Sequence, residues 1–245
     1  AAAPSPRMLA KSSDAAEAEE AAPQPDFTVQ TVQGEFSTEF EVPGQVDLAS
    51  GRERVSFALG TQSVDARMLV RVSPAVQPSA YLVAELARPE GVWPDGPLQL
   101  WRGSQLVGAS VWRSGGDTSP ASRERLSLPF GRDELVRVQV NPNQQRNASA
   151  GFIGSRTERR EQHVYLIENR HPAPIDLQVL EASPVSTDER ISVTRQFNPA
   201  PTLDPWQDQP GLIAWEQRLA PAATARFQAD YVITLPKDSP LSESR

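Results

Sequence analysis

The chain has no cysteine, two histidines and two lysines in 245 residues. Without cysteine there is no disulfide framework, no thiol nucleophile, no thiolate-bound iron–sulfur cluster and no thiolate zinc site. The same absence is compatible with any redox compartment. Two histidines cannot supply a three-histidine metal site. Lys11 and Lys237 stand against 22 arginines. With the abundance of alanine and proline, this reads as compositional bias of the genome rather than guanidinium selected for anion pairing. Long apolar runs are missing too. None approaches the roughly 18 residues of a membrane-spanning helix, and Leu212-Ile213-Ala214-Trp215 is typical of those present. The formal net charge of −7 has the wrong sign for a general nucleic-acid binder, which must neutralise phosphates.

What the chain has in quantity is proline, 23 residues against 14 glycines. Four of the prolines lie in residues 1–25, among nine alanines and the acidic residues Asp14, Glu17, Glu19 and Glu20. So few large apolar side chains cannot offset the entropy of ordering, so 1–25 is expected to be a disordered Ala/Pro/Glu linker. It begins without methionine or an apolar signal segment, which suggests a fragment or a processed product with further chain before it.

From Asp26 onward apolar and polar residues alternate with period two, the mark of half-buried strands. Val136, Val138 and Val140 alternate with Arg137 and Gln139, and Ile175, Leu177 and Val179 with Asp176 and Gln178. Similar runs lie at 55–59, 68–72, 81–86, 98–101, 106–112, 163–169, 191–193, 212–215 and 231–235. Prolines stand at their ends, where a residue without an amide donor belongs. Two hairpins are predicted: 98–101 with 106–112 across Arg102-Gly103-Ser104, and 164–169 with 175–180 across His171-Pro172-Ala173-Pro174. No helical period appears beyond the linker. Roughly a dozen strands are more than one compact sheet holds. The expected fold is therefore an all-β antiparallel β-sandwich, in two packed subdomains at 26–145 and 146–245, the second immunoglobulin-like. A single distorted sandwich is the alternative.

Several segments share an order with one known family. Gly151-Phe152-Ile153-Gly154 precedes a charged run at 156–161 and a strand ending in Glu168-Asn169. Pro184-Val185-Ser186, Ile191-Ser192-Val193, Gly211-Leu212-Ile213-Ala214-Trp215 and Leu219-Ala220-Pro221 follow, and Tyr231-Val232-Ile233-Thr234-Leu235-Pro236 closes the set. Upstream, Pro94-Asp95-Gly96-Pro97-Leu98 and Phe130-Gly131-Arg132-Asp133 fit as well. Over about residues 26–238 the chain resembles the C-terminal domain, of unknown function, of mucoidy-inhibitor-A-type proteins. Ala220 and Ala222 flank Pro221 where that pattern has a proline–glycine pair, which puts one turn in question. The resemblance implies a bacterial cell-envelope or periplasmic setting, a link to capsule or exopolysaccharide production, and an N-terminal domain with a coiled coil ahead of this module. It implies no catalytic residues. A protein partner, or self-association through a preceding N-terminal region, follows from it, and polysaccharide is a further candidate ligand.

Among chemistry-bearing residues, the five tryptophans are the most informative. Indole offers area, a stacking face and one donor. Trp101 and Trp112 flank the first predicted hairpin, Trp206 sits in a polar, proline-rich loop, and Trp215 is expected in the core. Trp206, Trp101 and Trp112 are thus the candidate binding residues. His163 and His171 have no companion at ligand spacing. No Gly-x-Ser-x-Gly elbow occurs. Thirty-one acidic residues always allow some carboxylate pair, so a glycosidase-like site is not specifically indicated. Asp204 and Asp208 are the nearest approach to a calcium loop, and the arginines at 156–160 to an anion site; a turn and a solvated mixed-charge strand explain them more simply. No cofactor, metal or catalytic group is assigned. The expected function is a non-enzymatic interaction or scaffold module, with a carbohydrate-binding module as alternative and a carboxylate-based hydrolase behind both.

Overall fold

The computed structural model describes residues 30–33, 38–41, 61–91, 93–113, 125–141, 146–150 and 156–236. The expected linker at 1–25 and the alternating run at 55–59 lie outside the described residues. The chain divides into two compact units, Ala1–Thr61 and Gln62–Arg245. The described part of the first is an antiparallel hairpin of β1 (Gln30–Gln33) and β2 (Thr38–Glu41).

The second unit is built from twelve described strands, so the all-β class is seen directly. They are β3 (Ala66–Ser73), β4 (Gln77–Ala87), β5 (Gly96–Arg102), β6 (Gln105–Trp112), β7 (Arg125–Asp133), β8 (Val136–Val140), β9 (Arg146–Ala150), β10 (Arg156–Asn169), β11 (Ile175–Ala182), β12 (Ser192–Asn198), β13 (Leu212–Leu219) and β14 (Thr224–Pro236). One five-stranded sheet has the order β12-β14-β10-β8, with β9 on the first half of β10. A second has the order β13-β11-β3-β4-β7. The pair β5-β6 forms a separate two-stranded sheet. All of the described pairings are antiparallel except β11 with β3, which run parallel with Leu177 beside Val70.

The two large sheets bury one common core. Val70 and Val72 of β3, Leu177 and Val179 of β11, and Ile213 and Trp215 of β13 come from one sheet. Tyr165 and Ile167 of β10, with Ala225, Phe227, Ala229 and Tyr231 of β14, come from the other. The period-two alternation of each strand supplies these residues, since every second side chain points to the same face. Phe197 of β12 stands edge-on to both Trp215 and Tyr231, with ring centroids 5.9 and 6.2 Å away.

The first predicted hairpin is present: β5 and β6 pair through Arg102↔Gln105, and Gly103 takes the left-handed φ of 60° that the turn requires. It packs against β7 through two glycines. A Cβ on Gly108 would lie 3.3 Å from the Pro129 carbonyl, and one on Gly131 3.4 Å from the Val107 carbonyl. The second predicted hairpin is not formed. β10 pairs with β14, β8 and β9, while β11 pairs with β13 and β3. Both strands carry an apolar face, and they bury these faces against each other across the core instead of lying side by side. The connection at 170–174 passes from one sheet to the other, and its two prolines have no N–H to offer a ladder.

Strand pairing also crosses the division expected near residue 145. β11 and β13, from the C-terminal half, lie beside β3 and β4, and β8, from the N-terminal half, pairs with β10. Both large sheets draw on both halves, so neither half can cover its apolar face alone.

Asn169, fully buried, fixes the corner at the end of β10. Its amide nitrogen donates to the carbonyls of Ala173, Leu219 and Ala220 at 3.0–3.1 Å, and its oxygen accepts from the His171 amide at 2.9 Å. The turn at Pro221 forms without glycine: Ala222 takes a φ of 57°, and the Ala223 amide donates to the Ala220 carbonyl at 3.2 Å.

Candidate functional site

Strand register places Glu216, Gln178 and Arg71 in one row across β13, β11 and β3, on the face away from the core. Arg71 Nε donates to Gln178 Oε1 at 2.6 Å and its Nη2 to Glu85 Oε1 at 2.5 Å. Gln178 Nε2 in turn donates to Glu216 Oε1 at 2.6 Å, and Arg67 reaches Glu216 at 3.4 Å. Two guanidinium groups thus face two carboxylates. Burial draws the Arg71 pKa below its ordinary value, with Glu85 opposing; guanidinium stays protonated in proteins.

The outer plane of Arg71 carries Trp206, whose ring centroid lies 5.2 Å from Cζ, a cation–π arrangement. Trp206 opens the short 3-10 turn Trp206–Asp208 and is half-buried. Gln207 and Asp208 follow in left-handed φ of 50° and 57°, a conformation that costs energy for residues other than glycine. One face of the Trp206 ring is therefore taken by the protein itself. Asp204, considered above as a calcium ligand, pairs with Arg195 at 3.3 Å. Among the described residues no group of three or more His, Asp or Glu is placed to hold a metal.

Trp112 and Trp101 stand at opposite ends of the β5–β6 hairpin, beside Gly96 and Leu106 respectively. Trp112 Nε1 donates to the Trp93 carbonyl at 3.1 Å, the two indoles meet edge-on at 6.3 Å, and Arg88 lies 5.0 Å from the Trp112 ring. Leu86, Leu126 and Leu128 complete an apolar cleft of about 330 Å³ beside them. Trp101 is 51% exposed and its cross-strand partner Leu106 48%. Among the described residues no ring contact joins Trp101, Trp112 and Trp206, so they do not make one platform. The arginines of 156–160 lie on β10, where Arg159 pairs with Glu161 and Arg160 with Glu158.

A buried polar cluster among the described residues was not anticipated from the sequence. Glu181 of β11 has no exposed side-chain surface. Its Oε1 receives His163 Nδ1 at 2.7 Å and the Tyr231 hydroxyl at 2.9 Å, and its Oε2 the Tyr165 hydroxyl at 2.7 Å. The hydrogen bond to Glu181 raises the His163 pKa against the opposing effect of burial. Burial, then the Glu181 charge, raises both tyrosine hydroxyls well above their ordinary range. The available signal was the alternation of β11: Glu181 continues the face of Leu177 and Val179. His171 Nε2 lies 2.8 and 3.0 Å from the Asp133 carboxylate oxygens.

Two sheets packed on one core and a short hairpin with exposed apolar side chains define an all-β domain. The chain belongs to the family described as a domain of unknown function, DUF4139, whose model matches residues 6–237. No curated protein and no solved structure matches the chain.

Proposed function

We propose that the domain is a non-catalytic interaction and scaffold module of a bacterial cell-envelope protein of the mucoidy-inhibitor type, which meets a protein partner at the turn end of the β5–β6 hairpin. The observation that carries this reading is the Trp101–Leu106 pair. Both side chains are about half exposed and face each other across two strands that belong to neither large sheet. Exposed aromatic anchors of this kind are where binding energy concentrates in protein interfaces. The link to exopolysaccharide production comes from the family resemblance. The test is a photoreactive amino acid placed at position 101 of the full-length protein in its native cells, with position 226 as an exposed control. A discrete protein adduct from 101 alone is expected. Equal labelling from both positions, or none from 101, rejects the reading.

A carbohydrate-binding role has one specific observation in its favour, the open face of Trp101, since pyranose rings stack on indole. A glycan array with Trp101→Ala and Trp206→Ala beside the parent decides it. Binding lost only in the Trp101 variant favours the sugar; binding that survives it removes the site.

A further inference from the structure

Glu181 reaches from β11, in one large sheet, to His163 and Tyr165 of β10 and Tyr231 of β14, in the other. It is the carboxylate side of a polar bridge set inside an apolar core. A buried carboxylate is costly unless its charge is balanced and its lone pairs are filled. The two tyrosines fill lone pairs and leave the charge uncompensated. A protonated His163 supplies a countercharge in direct contact with the carboxylate, at 2.7 Å. Two further charges act on the cluster: Glu161, two residues earlier on β10 and paired with Arg159, also favours the imidazolium, and Arg195 of β12, opposite Tyr231 and paired with Asp204, opposes the rise in the Tyr231 pKa. Tyr165 and Tyr231 stay neutral. The His163 side chain is 21% exposed, which leaves its proton open to exchange with solvent.

We propose that His163 is a proton-operated clasp between the two large sheets: protonated, it ties Glu181 to β10 and β14, and on losing its proton it leaves an unbalanced buried carboxylate that loosens their packing. The sign follows from the raised imidazole pKa. Such a group contributes its full stability below the unfolded value of about 6.5 and loses it as pH rises through the folded value. The folding constant falls across that window by the factor by which folding raises the proton affinity of the imidazole.

Urea denaturation of the full chain and of His163→Gln, at pH values from about 5.5 to 9, reads this directly. Relative to the variant, the parent midpoint is expected to fall as pH rises above about 6.5. Parallel curves overturn the proposal. Titration of the two imidazoles of the unsubstituted protein by NMR, assigned with His171→Gln, gives a second readout that does not depend on His163→Gln folding. His163 is expected to titrate above the unfolded value in the parent and to drop in Glu181→Gln. A His163 resonance that titrates at or below the unfolded value, or is unmoved by Glu181→Gln, also overturns it.

Discussion

Between the large sheets, Trp215, Tyr165, Tyr231 and Phe227 are almost wholly buried, whereas on the β5–β6 hairpin Trp101 and Leu106 keep 51% and 48% of their surface. Both sets are large, mainly apolar side chains, and the work is different. Trp215 fills the core, stands 5.3 Å from the Phe227 ring and donates its indole N–H to the Pro199 carbonyl at 2.7 Å. Trp101 sits at the end of two strands anchored to β7 at close glycine contacts further along. Aromatic surface that the fold does not need for its own burial stays open to solvent.

The comparison can be broken in three places. Trp215→Ala should have the largest effect, a loss of about 3–5 kcal/mol in unfolding free energy, from the cavity and the abandoned carbonyl. Chemical denaturation measures it. Asn169→Ala should cost about 1–3 kcal/mol, because buried carbonyls and one amide lose their partner together. Hydrogen exchange should quicken at the ends of β10 and β13, and a loss spread evenly over both sheets would contradict the corner role. Trp101→Ala should change stability by no more than about 1 kcal/mol, since only half of the ring is covered. If Trp101→Ala unfolds the domain as readily as Trp215→Ala, the hairpin is part of the core and the contrast disappears.

Local features of the fold were legible in the sequence and distant ones were not. The β5–β6 hairpin could be read because its strands are separated by a turn whose glycine must take positive φ. The partners of β10 and β11 could not, because alternation says which face is apolar and is silent on which sheet a strand joins. The same limit hid the bridge at Glu181. Its three donors lie at positions 163, 165 and 231, on two other strands. The tryptophans were visible as residues, but the arginines that occupy Trp206 and Trp112 are Arg71 of β3 and Arg88 just after β4, neither a sequence neighbour of its ring.

The parallel pairing of β3 with β11 has a consequence for how the domain is made. Arg71 and Gln178, side by side in the sheet, are 107 residues apart in the chain. Until β11 has left the ribosome, β3 is an unprotected edge and the central register of its sheet has no second half. Closing so long a loop before any reward is gained is slow compared with zipping neighbouring strands. Assembly of this domain is therefore a late step of its synthesis, and the nascent chain depends on staying unpaired with other strands until then.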